Sequence, residues 1–318
     1  MSLDAQSQAV VNGLNASGVL PFRQHSPAVV RAKVLSLRAA RPTVSAHEMA
    51  SVSEEWVTTP DGRFVVRILR PRLARAGEAM PVVIYFHGGG FFAGGLDETD
   101  ELARTIAKRT DAVVVNVDYH LSPEAKFPVA VNDAYAALCW VAANASRLGI
   151  DAQRIVVAGD SAGGNLTVVT CLMARERGGP SIRFQVPIYP SLDMRARPNY
   201  GSRARWGGGG YILDNDDIEW MLDHYLSLRE EASDWRASPI LAKTYAGLPP
   251  ALVVTADHDP LADEGKLYAE RLTADGVDVE HACFEGTFHG FVGYASLIDV
   301  GARGVNLICE RIKHAVWK

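Results

Sequence analysis

The chain has 318 residues, of which 48% are hydrophobic and 22% charged, with a formal net charge of -5 at neutral pH. That balance excludes collagenous, disordered and membrane classes and gives no electrostatic footprint for nucleic acid or anionic lipid. The length suits one large α/β domain or two smaller ones, acting on a small-molecule partner.

Met1 to Gln8 lacks a basic region and a continuous apolar core. No later stretch reaches the roughly eighteen apolar residues of a membrane span, so a cytoplasmic protein without a membrane partner is expected. Cys139, Cys171, Cys283 and Cys309 are far apart, each inside an apolar pattern, and read as reduced core thiols. Residues 1–22 are polar and glycine-dotted; Ser26-Pro27 then opens a helical pattern with Val30, Val34 and Leu37 on one face. From Glu54 the period changes to two, and Trp56 to Thr58 and Phe64 to Leu69, joined through Asp61-Gly62, read as a hairpin.

Beyond the hairpin, short apolar runs alternate with helical stretches. Val82 to Phe86, Ala112 to Val117, Ile155 to Val157 and Leu252 to Val254 have the unbroken apolar character of parallel strands buried on both faces. Phe184 to Ile188 and Val277 to Phe284 complete the set. The amphipathic segments Val131 to Ala145 and Leu261 to Ala274 lie between them. The alternation predicts an α/β fold, a mostly parallel eight-stranded sheet with helices on both faces. One excursion breaks it: between Tyr189 and Leu248 come four arginines, Gly207 to Gly210, and a helical pattern over Asp216 to Leu228. A connection this long reads as a mobile lid. The expected division is residues 1–50 as the N-terminal part of a cap, 51–190 and 248–318 as the two parts of the core, and 191–247 as the cap insertion.

Gly159-Asp160-Ser161-Ala162-Gly163 follows one strand signal and opens a helix. A serine hydroxyl is a poor nucleophile, so it must stand exposed at a sharp turn between small neighbours. His87-Gly88-Gly89-Gly90 follows another strand. Acyl hydrolysis develops negative charge on the carbonyl oxygen, and N–H groups of Gly88, Gly89 and Gly90 with that of Ala162 suit such an oxyanion. The same stretch matches a dinucleotide fingerprint, Gly88-x-Gly90-x-x-Ala93 with Asp118 ending the next strand. Against that reading, Gly94-Gly95 follow and the helix starts only near Asp97. A serine nucleophile needs a base and an orienting carboxylate, in the order serine, acid, histidine at strand ends; Asp259 and His289 satisfy both conditions.

Together His87 to Gly90, Gly159 to Gly163, Asp259-Pro260-Leu261-Ala262-Asp263-Glu264-Gly265 and Phe288-His289-Gly290-Phe291 resemble the hormone-sensitive-lipase-type carboxylesterases, bacterial family IV. The likeness spans Pro81 to Tyr294. It implies an α/β-hydrolase core with a helical cap, hydrolysing short- to medium-chain acyl esters through a covalent acyl-enzyme, without a cofactor. Carried over, Ser161 is the nucleophile, His289 the base and then the acid, and Asp259 the orienting carboxylate. The family's usual Asp-Tyr-Arg-Leu-Ala-Pro-Glu reads Asp118-Tyr119-His120-Leu121-Ser122-Pro123-Glu124 here, a departure that bears on a local ion pair and not on the triad. Amide cleavage on the same triad, and non-catalytic binding as in related receptors that lack the histidine, are the alternatives; this chain keeps His289.

Other residues have plainer readings. His87 holds the glycine loop, His120 and His258 border the site without a role, and no histidine pair has metal-ligand spacing, so no metal is expected. Asp263 and Glu264 are alternative candidates for the acid, but read better as a polar start to the following helix. Arg195, Arg197, Arg203 and Arg205 read as a solvated face, or else as a preference for acyl groups bearing a carboxylate. Phe91, Phe92, Trp206 and Tyr211 are expected to close an apolar pocket from above. A monomer or homodimer is expected.

Overall fold

The computed structural model describes residues 2–39 and 47–318, with backbone alone at 38 and 39. Eight strands form one sheet in the order β1-β2-β4-β3-β5-β6-β7-β8. They are β1 (Ser51–Thr59), β2 (Gly62–Arg70), β3 (Met80–Phe86), β4 (Val113–Asp118), β5 (Ile150–Asp160), β6 (Phe184–Ile188), β7 (Ala251–His258) and β8 (Val279–Phe288). The expected hairpin β1–β2 pairs antiparallel, and β2 pairs antiparallel with β4; from β4 to β8 every pairing is parallel.

Side-chain alternation along the strands splits the core into two layers. Val82, Ile84, Phe86, Val113, Val115 and Val117 face one, covered by α4 (Val129–Ala143), α6 (Ala162–Arg177) and α9 (Ala262–Ala274). Val83, Tyr85 and Val114 face the other, covered by α3 (Leu96–Thr110) and α10 (Asp299–Trp317). Burial on both faces is why these strands read as continuous apolar runs. A short α5 (Ala145–Leu148) leads into β5.

The expected N-terminal helix is α2 (Pro27–Ala39). Ahead of it lies α1 (Ala5–Ala16), in the stretch whose polar, glycine-dotted composition carries no such signal. Its stability comes from its ends and its neighbours. The Asp4 carboxylate accepts from the Ser7 N–H at 2.8 Å, the Asp4 N–H donates to the Gly286 carbonyl, and Val11 is buried. The long excursion between β6 and β7 contains α7 (Gly201–Trp206) and α8 (Asn215–Tyr225), the latter shorter than its sequence pattern. Asp217 of α8 accepts from the Phe22 and Arg23 N–H groups, both at 3.0 Å, and its carboxylate lies 2.9 Å from the Arg23 guanidinium. The N-terminal arm and the insertion are thus tied to each other. No described helix is long and apolar enough to cross a membrane.

Two thiol expectations need correction. Cys171 and Cys309 are buried, but Cys283 is exposed, because β8 is the last strand of the sheet and its alternate side chains face outward; Cys139 is half-buried.

Candidate active site

β5 ends at Asp160 and α6 begins at Ala162, which leaves Ser161 alone on the turn at φ 56° and ψ -114°. A residue with a side chain adopts such a backbone only where its surroundings enforce it. Here the Ser161 N–H donates to the Ile188 carbonyl at 2.9 Å, and its carbonyl accepts from the Asn165 N–H at 3.1 Å. A Cβ on Gly163 would overlap the Phe86 carbonyl, and one on Gly159 the Gly163 carbonyl. Glycine at both positions lets β3, β5 and α6 approach closely enough to fold the turn.

The loop after β3 is fixed from behind. The Gly88 N–H donates to Asp160 Oδ1 at 2.9 Å, and the Tyr85 hydroxyl donates to the same oxygen at 2.7 Å. Burial pushes the Asp160 carboxyl up, opposed by these two donors. His87 is buried as well, and burial pushes it down to about 4. Its neutral ring donates from Nδ1 to the Gly88 carbonyl at 2.8 Å and stacks on Tyr119 at 4.3 Å. With the Gly88 N–H committed, those of Gly89, Gly90 and Ala162 have no hydrogen-bond partner among the described residues. Gly89 and Gly90 sit at φ 121° and 61°, in the region that favours glycine.

His289 Nε2 lies 2.9 Å from Ser161 Oγ, and Nδ1 lies 2.7 Å from Asp259 Oδ2. The other Asp259 oxygen accepts from the Leu261 N–H at 2.8 Å, and Asp259 is fully buried. A carboxylate only accepts, so Nδ1 carries the proton and Nε2 accepts from the serine hydroxyl. An array of this kind withdraws the proton of a hydroxyl and holds it for return. Asp259 directly follows β7 and His289 directly follows β8, so the sheet sets their separation. Tyr189, read from the sequence only as the boundary of the insertion, packs edge-on to His289 with ring centroids 4.9 Å apart. Its only signal was its place at the end of a strand.

Over this array opens a cavity of about 300 Å³. Val30, Val34 and Leu37 of α2 and Ile218, Met221 and Leu222 of α8 form much of its wall. Phe91 and Phe92 line it as expected, Phe91 stacked on Tyr225 at 3.8 Å and Phe92 edge-on to Trp220 at 5.0 Å. Trp206 and Tyr211 are not in its lining. They pack edge-on to each other at 5.5 Å and against His258, because Trp206 ends α7 beside the turn that carries Asp259. Aliphatic side chains of the insertion occupy the position expected for them.

The arginines are not one solvated face. Arg203 is buried, its guanidinium 2.8 Å from the fully buried Glu264. Glu264 also accepts from the Leu192 and Asp193 N–H groups at 2.8 and 3.0 Å, so a residue read as a helix start is an internal anchor for the insertion. Asp263 accepts from the Ser202 N–H at 2.9 Å. Arg195 pairs with Asp193 and Arg197 with Asp216, each at 2.7 Å, and Arg205 lies over Trp206. None of the four lines the cavity. His120, where the resemblance expects arginine, holds Asp133 Oδ2 from its N–H at 2.9 Å and from Nδ1 at 2.7 Å.

The dinucleotide reading fails on geometry. α3 begins at Leu96, so the fingerprint glycines form a loop rather than a helix N-terminus. Asp118 has a different property. Burial first, and the Glu98 carboxylate second, push its carboxyl up to about 6. Between about pH 4 and 6 the folded state therefore binds the proton more tightly than the unfolded chain, and stability falls as pH rises. Asp118→Asn is expected to stabilise the protein at pH 7 by about 1–2 kcal/mol, after discounting for partial solvation, and to flatten that stretch of the curve. Urea midpoints of both forms at pH 4.5 and 7 check this; a variant less stable at pH 7 contradicts it.

A mostly parallel sheet covered on both faces, with serine, acid and histidine presented in that order at strand ends, is the architecture of an α/β-hydrolase. A family model described as the alpha/beta hydrolase fold matches residues 83–293. The chain belongs to this family. It is 41% identical over 255 residues to carboxylesterase NlhH of Mycobacterium tuberculosis, covering 79% of this chain and 78% of that protein. With the ethyl acetate hydrolase of Pseudomonas putida it shares 34% identity over 313 residues, 98% of this chain and 97% of that one. A hyperthermophilic esterase from the archaeon Pyrobaculum calidifontis superimposes with a TM-score of 0.93 at 39% identity, over 99% of both chains.

Proposed function

We propose that the chain is a serine carboxylesterase in which Ser161 attacks the ester carbonyl and His289 takes the hydroxyl proton. The observation that carries this is the continuous hydrogen-bonded line from Ser161 Oγ through His289 to Asp259, at 2.9 and 2.7 Å. As the Oγ–carbon bond forms, charge moves to the carbonyl oxygen, and the N–H groups of Gly89, Gly90 and Ala162 receive it. Gly88 contributes by position, since its own N–H holds Asp160. His289 then returns the proton to the leaving alcohol as the ester C–O bond breaks, which leaves an acyl-serine. Water, activated by the same ring, attacks the acyl carbon and releases the acid and Ser161. Residues 1–50, of which 1 and 40–46 lie outside the described residues, act with 191–247 as a cap, a reading supported by the Asp217–Arg23 tie and by the cavity walls that α2 and α8 supply. The four free cysteines fit work in the reducing cytoplasm.

Labelling by an organophosphate tests the nucleophile. Active protein that turns over a nitrophenyl ester and carries the label anywhere but Ser161 would refute the assignment.

The closed aliphatic cavity also sets a length limit. Each buried methylene contributes about 0.8 kcal/mol, so kcat/KM is expected to rise roughly fourfold per carbon until the cavity is full. The maximum should lie at short acyl chains, about four to eight carbons, and fall beyond as the chain displaces α2 or α8. A nitrophenyl series from acetate to palmitate reads this directly. A maximum at palmitate would mean that the cavity opens to a lipid surface.

A further inference from the structure

The cavity wall is mostly apolar; beside Ser161 and His289 its polar side chains are the hydroxyls of Thr99, Tyr189, Ser191 and Tyr294 and the carboxylates of Glu98 and Asp160. Asp160, the other acid in the lining, accepts from the Tyr85 hydroxyl and the Gly88 N–H, both through Oδ1. Among the described lining residues there is no lysine or arginine. Glu98 forms no hydrogen bond or ion pair with a described residue; its Oε2 lies over Gly95, near Asp118 Oδ1. Asp118 is a second acid at its back; the Arg67 guanidinium acts on Asp118 from behind the wall but does not line the cavity, so the charge facing the cavity here is that of a carboxylate.

We infer that Glu98 is a specificity-determining residue that directs this esterase toward esters carrying a cationic ammonium group. The inference rests on the hydrolase reading above and names the substrate class of the same site. A carboxylate without a partner at the edge of an apolar cavity attracts a cation strongly, because the wall lowers the local dielectric. A weakly hydrated quaternary ammonium with methyl substituents suits it best, since its methyls match the aliphatic walls while its charge faces Glu98. The same field repels anionic esters, the reverse of the preference the insertion's arginines would have given. Glu98 also lies in the first turn of α3, where a carboxylate favours the helix N-terminus, but Asp97 stands in the same turn. A purely structural Glu98 would affect stability and leave charge preference untouched.

The test compares kcat/KM for isosteric pairs that differ in one charge. Butyrylcholine against 3,3-dimethylbutyl butyrate places the charge on the alcohol. The 4-nitrophenyl ester of 4-(trimethylammonio)butyrate against that of 5,5-dimethylhexanoate places it on the acyl group. In at least one pair the wild type should favour the cation by roughly tenfold at low salt, and the preference should shrink as salt rises from about 20 mM to 1 M. Glu98→Gln should bring the ratio close to one and Glu98→Lys should invert it. Asp97→Asn, which removes an exposed partner of Arg67 outside the cavity, should leave the ratio unchanged. A ratio of one in both wild-type pairs, or a preference that survives Glu98→Gln, overturns the inference while the hydrolase reading stands. Failure to hydrolyse even the neutral esters overturns both.

Discussion

Ser161→Ala and His289→Ala should each lower kcat on a nitrophenyl ester by roughly 10⁴- to 10⁶-fold, and the double variant should lose little more than either. The reason is the shared proton. Without His289 Nε2 at 2.9 Å the serine hydroxyl has no base, and without Ser161 the base has no nucleophile to serve. Asp259→Asn leaves the ring held but offers an amide N–H where Nδ1–H needs an acceptor, so the wrong tautomer is stabilised and a loss of about 10⁴-fold is expected. The residual rate of the double variant then measures what Gly89, Gly90 and Ala162 contribute with the cavity alone. Steady-state kinetics on the four variants and the wild type, at equal concentrations of folded protein, decides the matter. Losses that multiply in the double variant would mean that serine and histidine act in separate steps.

Arg203→Met should destabilise the fold by about 3–5 kcal/mol, because it leaves the fully buried Glu264 without its cation. The two backbone donors, from Leu192 and Asp193, remain and limit the loss. Burial already pushes the Glu264 carboxyl up, and removing the guanidinium pushes it further. A raised carboxyl costs stability as pH rises through its folded value, so the deficit of Arg203→Met should be largest at neutral pH and shrink toward pH 4–5. Glu264→Gln in the same background should restore part of the stability at pH 7, since the amide carries no charge to strand. Urea unfolding of the single and double variants measures the coupling. A single variant within about 1 kcal/mol of wild type would mean that water reaches Glu264 and the pair is not an anchor.

What the sequence displayed clearly were features with local causes. Alternation of Val82 to Phe86 and Val113 to Val117 between two buried layers produces unbroken apolar runs, and these mark the parallel strands directly. Ser161 was legible because Gly159 and Gly163 answer a steric demand within its own turn. Features made by contacts distant in the chain were not legible. α1 has a local cap at Asp4, but the backbone bond from Asp4 to Gly286 that docks it comes from far along the sequence. Trp206 and Tyr211 looked like a lid because aromatics flank Gly207 to Gly210, yet α7 turns them onto His258, while Met221 and Leu222 do the closing. Glu264 resembled any helix-opening acid until Arg203, 61 positions earlier, was seen beside it.

Ser161 and His289 are separated by 128 positions, on β-elements that meet only when β6 and β7 have filled the space between β5 and β8. Non-local pairings of this kind form late, after the entropy of closing long loops has been met. A chain that has collapsed and formed its helices but not aligned its outermost strand holds every reacting side chain and hydrolyses nothing. Ser161 and His289 therefore meet only when the strands from β5 to β8 are aligned, which makes catalysis a readout of that half of the sheet.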